Sequence, residues 1–290
     1  MKLRSGEIYY PRANDTAIMA SLDQAVSDPG IVIVYGPGGS GKTALIEQWK
    51  QRDHKVVRPD EIIHVYLSDK TPEYRSSTHM IYDRTIEAID QHHPPAYVPM
   101  RKKDIDKEPI SRFGKKNLES LRQKVRQKVE ENFIRVIVLD NVQYATRQAI
   151  ITAIFQLGCT GGDQEMKRTF ILVGQEEKKW LNWMLDNESI KKFILDVYEM
   201  GPLSLDEYKP AIRYLRDEGL KAIVPDNELT AEVNQELGKL VEATEGNWAS
   251  LTRLLRLMDQ EMKPQPDDSR RHITLEVLSR VRQRVRMSSR

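Results

Sequence analysis

The sequence predicts an α/β fold, a doubly wound parallel sheet followed by a small all-helical domain, on three observations. Apolar runs of strand length, IVIV (31–34), IIHVYL (62–67), VIVLD (136–140) and TFILVG (169–174), alternate with segments of helical period. The first run ends in a glycine-rich turn that opens a helix, the layout of a βα unit. Beyond GPLS (201–204) no strand pattern remains and every periodic segment is helical.

Taken in order, DTAIMASLDQAVS (15–27) predicts an amphipathic helix, with Asp15 as N-cap and Ile18, Leu22 and Val26 spaced four apart. The strand 31–35, the glycine turn and a helix over 42–51 follow, then the strand 62–67, closed by the turn-rich SDKTPEY, and a helix over 78–91. Residues 92–116 carry four prolines and many charges and read as an excursion from the core. A charged helix over 117–132 leads into VIVLD, whose unbroken apolar run suits the middle of a parallel sheet. A helix over 146–157, a GGDQ turn and the strand 169–174 complete the α/β pattern. Helical patterns at 204–218, 228–243, 247–262 and 274–286 are separated by Pro225 and the PQPDD loop. The expected organisation is an α/β domain over 1–200, with its charged excursion, and a helical domain over 201–290 with a basic tail.

Composition narrows the setting. With 39% hydrophobic and 30% charged residues, the 290-residue chain reads as globular with a highly charged surface. No apolar run approaches a membrane span, and MKLRSGEIYY lacks a signal-peptide core. The single cysteine, Cys159, excludes an intramolecular disulfide framework and a cysteine zinc site. A cytoplasmic location is expected by elimination. Net charge is only +2, but basic residues cluster at 101–103, at 115–128 and at 270–290, a distribution that matters more than the sum.

GPGGSGKT (36–43) completes the phosphate-loop pattern, with a strand before it and a helix after it. Gly36, Gly38, Gly39 and Gly41 let the backbone bend so that N–H groups converge on phosphate oxygens at the positive end of a helix. Lys42 is expected to neutralise the β- and γ-phosphates, and Thr43 to hold Mg²⁺. With Pro37, Ser40 and Ala44 these residues form the expected ATP-binding set. A second acidic group is needed for the metal, and Asp140 at the end of VIVLD fits that role. Asn141 follows, where many ATPases carry a glutamate; an amide orients water but takes no proton, so hydrolysis is expected to be slow. Gln143 is placed to help position a water, and Gln175, after FILVG, to reach toward the γ-phosphate. Loop, Asp140 and Gln175 all fall at carboxyl ends of strands, where open α/β sheets bind ligands.

The order of these signals resembles the bacterial AAA+ ATPases of the TniB, TnsC and ExeA type over roughly residues 9–262. YYPR (9–12) is similar to the adenine-side segment of that group, which adds Arg12 to the nucleotide set. DNVQ (140–143) resembles its DEAQ or DEAH box, LVGQEE (172–177) its LVGQPE segment, GPLSLDEYKPAIRYLRDEG (201–219) its hinge into a helical lid, and TEGNWASLTRLLR (244–256) its second sensor helix. Two features of the group are missing. Trp248, Ala249 and Ser250 stand where the sensor arginine belongs, with Arg253 the nearest substitute, and Lys191 and Lys192 stand where an arginine finger belongs.

The resemblance implies a ring or filament with ATP between subunits, which binds duplex DNA without strong sequence preference and recruits or regulates a transposase-like partner. Lys70 and Arg75 would then fall on a DNA-facing surface, and their backbone contacts would be salt-sensitive. The alternatives are a secretion- or signalling-type ATPase acting on protein partners, and a silent nucleotide-dependent scaffold of a defence or mobile-element system.

Overall fold

Five strands, β1 (Ile31–Gly36), β2 (Ile62–Tyr66), β3 (Val136–Asp140), β4 (Thr169–Gln175) and β5 (Ile194–Glu199), form one parallel sheet in the order β2-β3-β4-β1-β5. In this computed structural model the described residues are 10–52, 54, 56–68, 76–93, 118–159, 165–175, 178–204, 206–207, 210–211, 214, 230–261 and 273–287, without the side chains of 178, 179, 234, 259 and 285–287. β3 is buried along its whole length, as its unbroken apolar run requires between two neighbours. Its register sets Asp140 beside Tyr66 of β2 and Val173 of β4.

Helices α1 (Asp15–Ser27), α2 (Lys42–Lys50), α3 (Ser77–His92), α4 (Leu118–Glu131), α5 (Arg147–Ala153), α6 (Lys178–Asp186) and α7 (Glu188–Lys191) alternate with the strands. Ser76 and Thr146 cap α3 and α5 by accepting the N–H groups of His79 and Ala149. The helix expected over 146–157 is α5 continued by a π turn at Ile154–Gly158, and Arg168 donates to the carbonyl of Leu157 there (2.8 Å). β5, α6 and α7 have no counterpart in the sequence expectations. Most of the excursion 92–116 and much of the helix expected over 204–218 lie outside the described residues.

Three further helices, α8 (Ala231–Glu242), α9 (Trp248–Glu261) and α10 (Leu275–Met287), follow the sheet. The chain divides into two compact units. One comprises residues 14–35 and 49–199; the other comprises 1–13, 36–48 and 200–290. The first is centred on Ile33, Ile63, Ile137, Leu139, Phe170 and Leu172 with the helix residues Ile81, Ile89, Val125 and Ile150. The second is centred on Leu203, Val233, Trp248, Leu251, Leu255, Val277 and Val281. Tyr10 joins this second core, stacked on Trp248 at 5.5 Å and edge-on to Tyr214.

α10 carries much of the basic tail, and its Arg280, Arg282 and Arg284 meet carboxylates of the other two helices and, at Glu276, of α10 itself. Arg280 donates to Glu261 (3.0 Å) and Glu276 (2.5 Å), Arg282 to Glu236 (2.5 Å), and Arg284 lies 2.7 Å from Glu261. A hydrogen bond from Lys239 holds the Glu236 carboxyl below its usual range, and Arg282 adds to the effect. No helix among the described residues is long and apolar enough to cross a membrane.

Candidate functional site

The phosphate loop begins where β1 ends and is shaped by the donors that hold its carbonyls. Lys42, the first residue of α2, is buried, and its Nζ donates to the carbonyls of Gly36 (2.9 Å) and Pro37 (2.8 Å) and to Ser40 Oγ (3.2 Å). Asn247 Nδ2 donates to the Gly38 carbonyl (2.5 Å), Ala249 N–H to Gly39 (3.2 Å) and the Arg12 guanidinium to Ser40 (2.8 Å). The Gly41 carbonyl receives the Leu45 N–H (2.9 Å), the first bond of α2. Every carbonyl from Gly36 to Gly41 therefore has a donor.

The C=O and N–H of one planar trans peptide point in opposite directions. Donors that grip the Gly38 and Ser40 carbonyls thus turn the N–H groups of Gly39 and Gly41 the other way. Such a row of amides beside a helix N-terminus is an anion cradle. A lysine ammonium that donates to neutral oxygens can redirect those N–H bonds to a phosphate oxygen, a stronger, charge-assisted acceptor. Thr43 lies half-buried in the first turn of α2, and Ala44 is buried behind it. These residues fit a nucleotide phosphate chain.

Two glycines are required by space as well as by conformation. Gly36 has φ +151°, and a Cβ there would lie 2.1 Å from the Met200 carbonyl oxygen; Gly39 has φ +75°, and its Cβ would lie 2.5 Å from Asn247 Oδ1. Gly36→Ala should therefore destabilise the protein by about 2–5 kcal/mol, backbone strain adding to overpacking against a main-chain atom. Urea denaturation measures this, and a change under about 1 kcal/mol would contradict the close approach.

In the sheet unit, Asp140 ends β3 as a buried carboxylate. Its Oδ1 accepts the Asn141 N–H (2.7 Å), and its Oδ2 lies 3.2 Å from His64 Nε2. His64 is itself buried and stacks on Tyr66, with ring centroids 4.1 Å apart. Sequence reasoning missed His64, although a polar ring inside the apolar run IIHVYL was the available signal. Asn141 has φ 61° and ψ 44°, the left-handed region that asparagine tolerates better than other side chains, and it turns the chain into the 3-10 turn Val142–Tyr144. Gln143 Nε2 donates to Asn141 Oδ1 (3.4 Å), and Gln143 Oε1 accepts the Gln175 N–H (3.1 Å). The structure thus brings Asn141, Gln143 and Gln175 into one hydrogen-bonded run from the end of β3 to the end of β4. The Gln175 side chain is exposed, and its carbonyl accepts the Trp180 indole N–H (2.8 Å).

Arg253 lies on the exposed face of α9, while Lys191 and Lys192 are exposed at the end of α7, with the Lys192 ammonium 4.8 Å from the centre of the Phe193 ring. Arg12 reaches the loop from before α1 and also donates to the Gly201 carbonyl (2.7 Å). Lys70 and Arg75 lie outside the described residues.

No curated protein matches the chain by sequence. Among solved structures it is similar to Cdc6p of Pyrobaculum aerophilum, with TM-score 0.64 and 15% identity over 96% of this chain and 69% of that one. It is also similar to the Aeropyrum pernix ORC1 protein in complex with DNA (TM-score 0.62, 14% identity, 96% and 66% covered) and to the ADP form of the ORC2 protein of Aeropyrum pernix (0.55, 13%, 95% and 70%). At such identities the likeness is one of fold. A family profile described as the AAA domain matches residues 24–179, more than half of the chain. The chain accordingly belongs to the AAA domain family of ATP-binding P-loop proteins.

Proposed function

We propose that this protein binds ATP with Mg²⁺ through Gly36–Ala44 and Arg12, with Thr43 and Asp140 as the metal's protein ligands, and turns ATP over slowly. The observation that carries this reading is the phosphate loop, in which all six carbonyls from Gly36 to Gly41 are held by donors. Bound Mg²⁺ would screen the phosphate charge and polarise the bond to the γ-phosphate. Around it, Lys42 supplies positive charge, while Asn141 and Gln143 orient a water without accepting its proton. The working form in this reading is a cytoplasmic ring or filament with ATP between subunits. It assembles on duplex DNA without strong sequence preference and recruits or regulates a transposase-like partner. The motif resemblance to TniB and TnsC proteins supports this reading. Its DNA part is further supported by the similarity to a protein solved in complex with DNA.

The experiment is duplex binding by fluorescence anisotropy, with and without ATP, across a salt series. Binding is expected to need ATP and to fall with salt at a slope near −0.9 per phosphate contact. Lys70→Glu with Arg75→Glu should weaken unrelated duplexes alike, because backbone contacts carry no sequence information.

A second reading is an ATP-dependent protein-interaction scaffold, or a secretion, signalling or defence ATPase, that binds no DNA. The ion pairs of α10 favour it, since Glu236, Glu261 and Glu276 already face Arg280, Arg282 and Arg284. A flat salt response, or no retention of duplex with any nucleotide, decides for this second reading.

A further inference from the structure

Asn247 precedes α9 and serves two masters. Its Oδ1 accepts the Ser250 N–H (3.0 Å), which caps the helix, and its Nδ2 donates to the Gly38 carbonyl 209 residues away (2.5 Å). The Ala249 N–H, one of the amides that a helix start leaves without an intrahelical partner, donates to the Gly39 carbonyl (3.2 Å). The turn before α9 is pinned in the same way. The Gly246 carbonyl accepts the Leu203 N–H (2.7 Å), and a Cβ on Gly246, at φ +72°, would lie 2.4 Å from the Leu203 carbonyl oxygen. The phosphate loop thus supplies an acceptor for the first turn of α9, and that turn and its capping Asn247 supply donors that orient the loop.

We propose that Asn247 is a positioning residue through which occupancy of the phosphate loop fixes the first turn of α9. This rests on the reading of 36–43 as a nucleotide site. Each peptide moves as a rigid plane. A phosphate that draws in the Gly39 N–H, and the Ser40 N–H out of its 3.3 Å bond to the Pro37 carbonyl, presses the Gly38 and Gly39 carbonyls onto Asn247 Nδ2 and the Ala249 N–H. Anchoring of α9 and nucleotide binding then strengthen each other by one and the same factor. The contact runs through the loop backbone, whose amides cradle the α- and β-phosphates. ADP and ATP should therefore anchor α9 alike, whereas an arginine reaching the γ-phosphate from this helix would separate them.

The test uses the whole protein and its Asn247→Ser variant, in which a serine hydroxyl still caps Ser250 but offers no amide donor to Gly38. Hydrogen exchange of the 247–252 segment and affinities for ADP and ATP are measured in both. In the parent, both nucleotides should raise protection of this segment equally. In Asn247→Ser the rise should vanish while the nucleotide-free thermal midpoint stays near the parent's. Both affinities should fall by about three- to tenfold, the effect of one lost hydrogen bond. Asn247→Asp, which keeps the cap but sets a carboxylate oxygen against the Gly38 carbonyl, should lose more, and it serves if the serine variant fails to fold. Parent-like affinities and protection in these variants would overturn the proposal, as would protection raised by ATP alone. A parent protein that binds neither nucleotide overturns the reading of the loop itself, a result that Lys42→Ala would then leave unchanged.

Discussion

Lys42→Ala is expected to weaken ATP binding at least tenfold, or to abolish ATP-dependent assembly, while leaving a folded protein. The Lys42 ammonium is buried and donates to Gly36, Pro37 and Ser40 of the same loop. Its removal takes away both the charge proposed to meet the phosphates and the donor that holds two carbonyls in place. The second loss should appear without nucleotide, as a destabilisation of about 1–3 kcal/mol from acceptors left short of a partner. Isothermal titration with ATP measures the first effect and urea denaturation the second. Unchanged ATP binding and assembly would remove the phosphate-loop assignment, and with it the proposed function.

The parallel sheet was legible because three of its five strands are interior and a fourth, the edge strand β2, is still mostly buried. β1, β3 and β4 are apolar runs flanked by partners on both sides, and β2 keeps four buried residues in succession. β5 escaped notice for a physical reason. It is an edge strand paired only with β1, its residues are half-buried or exposed, and ILDVYE mixes acids with apolar residues. Asp196 satisfies itself there by accepting from Ser21 and from Tyr198. Period alone gives no strand from such a segment.

At the candidate site, what the sequence carried was the local chemistry. The loop letters, the acid that ends VIVLD and the amide after the acid are each read within a few residues. The groups that shape these elements come from far away: Arg12 on Ser40, Asn247 on Gly38 and His64 on Asp140. Nothing in the letters EGN specifies a carbonyl 209 residues away as the acceptor, because that pairing is set by packing. The arginines of α10 illustrate the same limit. Within their own segment they face few acids, but the fold brings Glu236 and Glu261 to them.

Asn141→Glu is expected to raise ATP turnover at least about tenfold with little change in ATP affinity, and the parent's turnover is expected to lie well below the median enzyme scale of about 10 s⁻¹. A glutamate can take the proton of the attacking water where an amide cannot, and general-base help is worth about 10²–10⁴ in rate when fully realised. The backbone explains why the gain should fall short of that range. Asn141 sits at φ 61°, ψ 44°, and glutamate is strained there by about 1–2 kcal/mol, so part of the new side chain's benefit is lost to a displaced turn. Asn141→Gly separates the two effects, since glycine accepts that conformation and brings no base. It should keep or slightly raise stability and leave turnover low, while Asn141→Glu loses stability and gains rate. Steady-state phosphate release and urea denaturation on the same three proteins provide the comparison. A parent already turning over near 10 s⁻¹, or a glutamate variant no faster than the glycine one, would mean that the proton leaves by another route. Gln143 would then have to be orienting the water toward a carboxylate other than one at position 141.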